Sequence, residues 1–222
     1  LNFRNTPYYP SFVATAFHKV TEFGLQNQWD VRLLSWAFMF VGERCFEGTR
    51  AFSTQGIDKA ILNLFRMYAK MGEQAVYFES SGAQNPLDYD DPYGRGNPPD
   101  VAGFATLTGN HRLSVLIYNH HDDWDMDDDS IVNITVSNLP FEASNLTLHH
   151  YRIDESHSNA HAEWIRQGKP MYPSGGQFQA IKNRDGLELL HSAQSITSQD
   201  HSIQLTFKMP VHSLSLLEIS AV

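Results

Sequence analysis

Along the first 80 residues, apolar positions recur at helical spacing on either side of one continuous apolar segment. Residues 11–23 place their apolar side chains on one helix face, and Gly24 follows as a predicted end. A second helix is predicted over 57–71, ending at Gly72. Between them, 31–41 is apolar and aromatic over the length of a strand that is buried on both faces. Helix, buried strand, loop and helix are the repeating unit of a (β/α)8 barrel, and one such unit leaves its strand uncovered.

From residue 100 onward, the apolar pattern changes to the period of two that is typical of strands with one buried face. The clearest example is 203–209, where apolar and polar residues alternate strictly. Before this region, 82–99 is rich in Gly, Pro, Asn and Asp and predicts a linker or long loop. Thr108-Gly109-Asn110 predicts a hairpin turn, and the capping-box spacing from Ser174 to Gln177 predicts a short helix. The predicted strands, which together indicate an antiparallel β-sandwich, are 113–118, 132–136, 146–153, 203–209 and 214–219.

The charge pattern narrows the classes of partner. The net charge is -9 and no basic patch is visible, which argues against nucleic acid binding. The longest apolar run is too short to cross a bilayer, so no membrane span is expected. Much of the acidity lies in 122–129, which we interpret as a solvated loop; the alternative, a calcium site, lacks the spaced ligands and turn glycine of an EF-hand loop. No metal site or cofactor is predicted, because zinc-ligand spacing, a P-loop and a GxGxxG motif are all absent from the sequence.

The histidines are predicted to be structural. His120-His121 and His149-His150 are adjacent pairs on or beside predicted strands, where neighbouring side chains point to opposite faces and do not readily bind one ion. Around His157, a turn held by side-chain hydrogen bonds is favoured over a catalytic role.

Cysteine usage and sequons bear on the cellular context. Cys45 is the one cysteine, and a free buried thiol is favoured over a bridge to a cysteine elsewhere in a longer protein. Asn133 and Asn145 begin N-glycosylation sequons, which are used only in a eukaryotic secretory pathway, and Asn133 is predicted on the solvent face of its strand. The chain begins at Leu1, which favours a processed, truncated or incompletely covered sequence.

The most specific sequence feature lies in the predicted sandwich. It reads Tyr151-Arg152-Ile153-Asp154-Glu155-Ser156-His157-Ser158-Asn159-Ala160 and is followed by Trp164, Gly168-Lys169-Pro170 and Pro173. Together with Asn5-Thr6-Pro7 and the segment from Ser35-Trp36-Ala37-Phe38 to Glu43, it resembles glycoside hydrolase family 39, which contains β-xylosidases and α-L-iduronidases. The similarity spans nearly the whole chain in one order.

The resemblance implies an α/β plus all-β fold class. Residues 1–78 are expected to form the last strand and helices of a catalytic (β/α)8 barrel, and 79–222 an accessory antiparallel β-sandwich. The implied activity is hydrolysis of O-glycosidic bonds by the retaining mechanism, in which one glutamate protonates the leaving oxygen and another attacks the anomeric carbon. In the family these glutamates follow barrel strands four and seven, and this sequence begins after strand seven. No catalytic residue is therefore expected here, and the chain alone is expected to be inactive.

The segment after 31–41 is expected to line the rim of the sugar pocket, because barrel active sites lie at the C-terminal ends of the strands. Glu43 matches an acidic position that the family uses to hydrogen-bond sugar hydroxyls; a surface ion pair with Arg44 is the alternative. Trp36 matches a family tryptophan that packs on a sugar ring, with core packing as the alternative. Arg44 departs from the acidic residue common in the xylosidase-like pattern, and with Arg50 it would bind the carboxylate of a uronic acid in an iduronidase-type enzyme.

The resemblance also indicates partners and location. The expected partners are a carbohydrate substrate, either a xyloside or a uronide, and the upstream barrel portion of the same protein; homo-oligomer formation stays open. The expected location is secreted, periplasmic or lysosomal, or cytoplasmic in a bacterium. The alternative function is a non-catalytic β-sandwich module that binds carbohydrate or has a structural role. An upstream extension of roughly 250–300 residues, the remainder of a barrel, would discriminate between the two.

Overall fold

A computed structural model of the protein describes residues 3–34, 41–91, 96–141 and 144–221. A 3-10 turn at Phe3–Asn5 leads into helix α1, which spans Tyr8–Gln26. The short strands β1 (Ser53–Thr54) and β2 (Ile57–Asp58) form a hairpin, and helix α2 follows at Ala60–Ala69.

The remaining elements are mostly strands, with one further 3-10 turn at Pro86–Asp88. They are β3 (Gln74–Val76), β4 (Asp100–Thr108), β5 (Arg112–His120), β6 (Asp129–Val136), β7 (Asn145–Ile153), α3 (Ala160–Arg166), α4 (Gly175–Lys182), β8 (Glu188–Leu189), β9 (Gln194–Thr197), β10 (Ile203–Pro210) and β11 (Ser213–Ala221).

These strands form two antiparallel sheets. The larger has seven strands in the order β3-β4-β5-β11-β7, with β8 and β9 both pairing with different parts of β7. The smaller is the pair β6–β10, whose register joins Ile203 to Val136 and Pro210 to Asp129. In the larger sheet β11 lies in the middle, because it pairs with β5 on one side and β7 on the other.

Both faces of the larger sheet are buried, and the period of two in its central strands explains how. On β5, Leu113, Val115 and Ile117 pack with the smaller sheet, whereas Leu116 and Tyr118 pack with α1 and α2. Strand β11 divides in the same way. The result is three layers: the smaller sheet, the larger sheet and the helix pair, with one apolar core on each side of the larger sheet.

A third apolar cluster lies beside these layers. It joins the segment before α2 to helices α3 and α4 through Cys45, Phe46, Ile57, Trp164 and Ile181. This cluster is important for function because it holds the segment on which the candidate sugar-binding residues lie.

The structure confirms the predicted strands of the second part of the chain and corrects the helix bounds of the first. The hairpin at Gly109, which has φ 52°, and the capping box at Ser174 are present as predicted. Helix α1 continues through Gly24 rather than ending there. Gly24 serves instead as a close contact, since a methyl group on it would lie 2.8 Å from Val31 Cγ2. The second helix begins after Ile57, because that residue pairs with Thr54 in the β1–β2 hairpin.

The predicted barrel strand 31–41 falls mainly on residues 35–40, which lie outside the described residues. At its described ends, 31–34 and Val41 have no regular secondary structure, pair with none of the described strands, and expose Leu34 and Val41 to solvent. No closed barrel is present among the described residues, which form helices and antiparallel sheets. The described part of the chain also contains no helix long and apolar enough to span a bilayer. A division of the chain near residue 78 stays a prediction.

Candidate functional site

The candidate sugar-binding residues lie on residues 41–56, which we call the rim loop. Its anchor is Phe46, which is buried and packs edge-on to His161 and tilted against Trp164, with ring centroids 5.1 and 5.2 Å away. The Phe46 amide donates to Thr54 Oγ1 at 2.8 Å, and its carbonyl accepts from Asn5 Nδ2 at 2.9 Å. The β1–β2 turn closes the loop through Gln55 and Gly56, whose φ values of 49° and 81° suit a two-residue hairpin turn.

Glu43 is half-buried and its carboxylate rests against the backbone of Gly48. A methyl group on Gly48 would lie 2.0 Å from Glu43 Oε2, so the carboxylate occupies the space that a side chain at position 48 would need. Behind Gly48 is the buried ammonium of Lys59, which donates a short hydrogen bond to the Gly48 carbonyl. The predicted sugar-binding carboxylate and the buried cation therefore both lie against the same loop residue, Gly48.

Burial also sets the protonation behaviour of this lysine. Loss of water around the ammonium lowers the pKa of Lys59 to about 8, while the nearby Glu43 and Cys45 side chains oppose that shift. Cys45 is free and buried, as predicted, and burial raises the pKa of its thiol. Sequence reasoning missed Lys59; a lysine directly before an apolar helix was the signal, because helix N-termini disfavour cations.

Arg44 and Arg50, the two predicted carboxylate-binding residues, differ in their surroundings. Arg44 pairs with Glu47 through two guanidinium nitrogens, and its amide also donates to Glu47 at 2.9 Å. The pairing raises the pKa of Arg44 and lowers the pKa of Glu47. The alternative of a Glu43–Arg44 ion pair is thus wrong, because Glu47 is the acidic partner. Arg50 is exposed and forms no ion pair in the part of the chain that the structure describes. Trp36 lies outside the described residues.

A second segment, 169–173, reaches the rim loop from the sandwich side. The Met171 carbonyl accepts from the Cys45 amide at 3.0 Å and from Gln55 Nε2 at 3.4 Å, and its sulfur lies 3.3 Å from Arg44 Nη1. The adjacent Tyr172 is exposed. The sequence alone did not assign this contact, since the two segments are more than a hundred residues apart.

The stretch 151–160, which carried the resemblance, forms a hydrogen-bonded turn rather than a reactive centre. Asp154 Oδ1 accepts from the amides of Ser156 and His157 at 2.8 and 2.9 Å, and lies 2.9 Å from His157 Nδ1. The buried Arg152 donates to the Lys208 carbonyl at 2.9 Å and lies 3.6 Å from Asp154. The turn around His157 is thus held by side-chain hydrogen bonds, as predicted.

The other predicted sites also have definite positions. Asn133 and Asn145 are both exposed, and Asn133 accepts from Thr206 on the outer face of the smaller sheet. Among the described residues, no group of three His, Cys, Asp or Glu side chains could hold a metal ion, and the acidic segment 122–129 is mostly exposed. His120 and His150 are buried against serine hydroxyls, Ser11 and Ser215, at 3.0 and 2.8 Å.

Two clefts lie away from the rim loop. One, of about 630 Å³, opens between the sheets beside β6 and is lined largely by apolar core residues. The other, of about 250 Å³, lies between α1 and the end of β5. Neither contains Glu43, Arg44 or Arg50, so neither completes a sugar site with the predicted residues.

A known protein family matches most of the chain. The sequence model of Glycosyl hydrolases family 39 matches residues 5–187, which is most of the chain and includes the rim loop. The chain belongs to glycosyl hydrolase family 39. The resemblance predicted from the stretch 151–160 is therefore confirmed. No curated protein sequence is significantly similar to the chain.

Solved structures of family 39 enzymes share the fold of this family 39 chain. A bacterial orthologue of human α-L-iduronidase matches 100% of the chain with a TM-score of 0.78 and 16% identity, over 39% of its own length. A monomeric β-xylosidase from Caulobacter crescentus CB15 matches 100% of the chain with a TM-score of 0.73 and 11% identity, over 43% of its length. A family 39 enzyme from Xanthomonas axonopodis pv. citri matches 99% with a TM-score of 0.72 and 13% identity, over 42%. The chain thus spans about two fifths of the length of these structures.

Proposed function

We propose that the chain is the C-terminal portion of a retaining glycoside hydrolase of the β-xylosidase or α-L-iduronidase type, and that its rim loop binds the sugar. The observation that carries this proposal is the placement of Glu43 within the family match: its carboxylate rests on Gly48 beside a buried cation. A fixed carboxylate can accept hydrogen bonds from two neighbouring sugar hydroxyls, which orients the ring.

The catalytic glutamates are proposed to lie upstream of Leu1. A retaining enzyme needs two carboxyl groups about 5–5.5 Å apart, one to protonate the leaving oxygen and one to attack the anomeric carbon. The acidic residues of the rim loop have other contacts: Glu47 pairs with Arg44, and Glu43 rests on Gly48. The coverage of about two fifths of the related structures leaves room for the remaining barrel.

The upstream barrel portion is also proposed as the principal partner. Leu25, which precedes the predicted barrel strand, and Leu34 and Val41, which lie within it, expose 74%, 86% and 106% of their surface. Large apolar side chains left this exposed are expected where another part of a protein covers them. The sandwich is proposed to support the barrel rather than to bind carbohydrate itself.

Assay of the complete enzyme tests the proposal. Aryl β-xyloside and aryl α-L-iduronide are the probe substrates, and turnover of one of them with retention at the anomeric carbon is expected. Glu43→Ala should raise KM about tenfold or more through loss of charged hydrogen bonds. Absence of turnover with both substrates, or an unchanged KM in the Glu43→Ala enzyme, would contradict it.

A further inference from the structure

Lys59 occupies a position that is physically unfavourable for a lysine. Its side chain is 1% exposed, and it is the residue that precedes the first turn of α2. A cation there loses its water and also faces the positive end of the helix dipole. Its amide donates to the Phe52 carbonyl at 2.9 Å, so the backbone alone would anchor this point without a charged side chain. The cost of burying the ammonium must therefore be offset by specific interactions with its neighbours.

Two neighbours of the Lys59 ammonium supply such interactions. Lys59 Nζ donates to the Gly48 carbonyl, and Glu43 is a nearby negative group that interacts with it. The Glu43 carboxylate fills the space beside Gly48 Cα, with Oε2 2.0 Å from where a methyl group would lie. Lys59, Gly48 and Glu43 thus form one contiguous unit that runs from the N-terminus of α2 to the surface of the rim loop.

We infer that Lys59 and Gly48 are positioning residues for the sugar-binding carboxylate of Glu43. Lys59 fixes the Gly48 peptide and attracts the carboxylate, and Gly48 supplies the surface on which the carboxylate lies. Neither touches the sugar; both act through Glu43. Among the other loop contacts, Gln55 Nε2 donates to the Glu43 carbonyl at 3.2 Å and so fixes its backbone. The contacts from Phe46 to Thr54 and from Cys45 to Met171 fix the rest of the loop. None of these three contacts is made by the Glu43 carboxylate. This inference rests on the proposed function of Glu43.

A set of variants of the complete enzyme tests the inference. Lys59→Met removes the ammonium, Gly48→Ala places a methyl group where the carboxylate lies, and Glu43→Ala removes the carboxylate. Each is expected to raise KM about tenfold with a smaller change in kcat, as the loss of a charged hydrogen bond does. Adding Lys59→Met or Gly48→Ala to Glu43→Ala should raise KM no further, because the three residues act as one unit.

Lys70→Met is the matched control. Lys70 lies at the other end of α2, where it pairs with Glu218 at 3.0 Å, so its loss removes a lysine from the same helix far from the rim loop. It is expected to change the melting temperature and to leave KM unchanged. Gly48→Ala keeps the inference testable if Lys59→Met does not fold, because the group that must move is the end of a flexible side chain.

The outcomes separate this inference from the proposed function. If Glu43→Ala leaves KM unchanged, the proposed function fails. If Glu43→Ala raises KM but Gly48→Ala and any folded Lys59→Met enzyme keep the wild-type KM, only the positioning role is overturned. The positioning role is also overturned if the increases in KM caused by Lys59→Met or Gly48→Ala multiply with the increase caused by Glu43→Ala. Multiplying effects would show that the residues contribute to binding independently.

Discussion

Arg44 and Arg50 carry the same charge on the same loop but have different capacities to bind an anion. Two guanidinium nitrogens of Arg44, Nε and Nη2, already donate to Glu47 Oε1, and a substrate carboxylate would have to displace that partner. Arg50 has no such competitor among the described residues. The structure thus shows that, of the two, only Arg50 has a guanidinium without an acidic partner among the described residues, whereas the sequence suggested the same role for both arginines.

We therefore expect Arg50, rather than Arg44, to set any preference for a uronide. In a complete enzyme that prefers the iduronide, Arg50→Ala should lower the ratio of kcat/KM for iduronide over xyloside by about tenfold or more. Arg44→Ala, the matched control, should change the ratio less because Arg44 is already paired. Full retention of the ratio by the Arg44→Ala, Arg50→Ala double variant would contradict a role for both residues.

His150 should make the stability of the fold depend on pH. Burial, with the positive charge of Arg152 adding to it, lowers the pKa of His150 from 6.5 to about 3. The unfolded chain therefore binds a proton below about pH 6.5 that the folded chain does not bind until about pH 3. The contribution of neutral His150 to the unfolding free energy is therefore complete above about pH 6.5. It is lost progressively as the pH falls from about 6.5 to about 3.

Urea unfolding between pH 7 and pH 4 measures this effect. His150→Gln should reduce the slope of unfolding free energy against pH by up to about 1.4 kcal/mol per pH unit. His111→Gln, which removes a histidine from the exposed turn between β4 and β5, is the matched control. An unchanged slope in His150→Gln would show that His150 is not held neutral by the fold.

The larger sheet depends on close backbone contact at Gly103 in β4. A methyl group there would lie 1.9 Å from the carbonyl oxygen of Leu116 on β5, and a backbone atom has little freedom to move away. The absence of a side chain at this point allows the backbones of β4 and β5 to approach this closely.

Gly103→Ala is therefore expected to lower the unfolding free energy by about 2–3 kcal/mol, measured by urea unfolding. Gly176→Ala is the control, since the same methyl group on α4 meets no atom within 4 Å and improves the helix propensity. Equal stability of the two variants would show that β4 moves away from β5 without cost.

The elements that the sequence predicted well are those whose apolar spacing directly encodes burial. Alternation revealed 203–209 as β10, and the turn residue Gly109 marked the β4–β5 hairpin. Short strands such as β8 and β9 were missed, because two to four residues paired at the edge of β7 carry no period of their own. Bounds near Ile57 were wrong because pairing with Thr54, a tertiary contact, outweighed helical spacing.

The candidate site was predictable only in part. Glu43 came from family resemblance, whereas its contact with Gly48 came from the structure. The Gly48–Lys59 contact and the approach of Met171 join segments that sequence spacing does not relate, so only the folded chain reveals them.

As a whole molecule, the chain buries both faces of its large sheet yet exposes apolar residues around the predicted barrel strand. Leu25→Ser with Leu34→Ser should raise the solubility of the isolated chain with little loss of stability, because both residues are exposed there. In the complete enzyme, the same change should lower the melting temperature, since the barrel is proposed to cover them.

Ile131→Ser is the control for that comparison. Ile131 is 63% exposed on the outer face of the smaller sheet, where no cover is proposed. It should leave the melting temperature unchanged in both forms. An equal response of the isolated chain and the complete enzyme to the Leu25, Leu34 change would contradict barrel cover at this surface.

The most direct measurement is glycosidase turnover by residues 1–222 alone beside the complete enzyme, with aryl β-xyloside and aryl α-L-iduronide at equal molar protein. A chain that supplies the sugar-binding rim without the two catalytic carboxylates should show no turnover above the uncatalysed rate, whereas the complete enzyme should hydrolyse one substrate. Hydrolysis by the isolated chain that is lost when one of its own carboxylates is substituted would place the catalytic groups in this sequence. That result would contradict the proposal that they lie upstream.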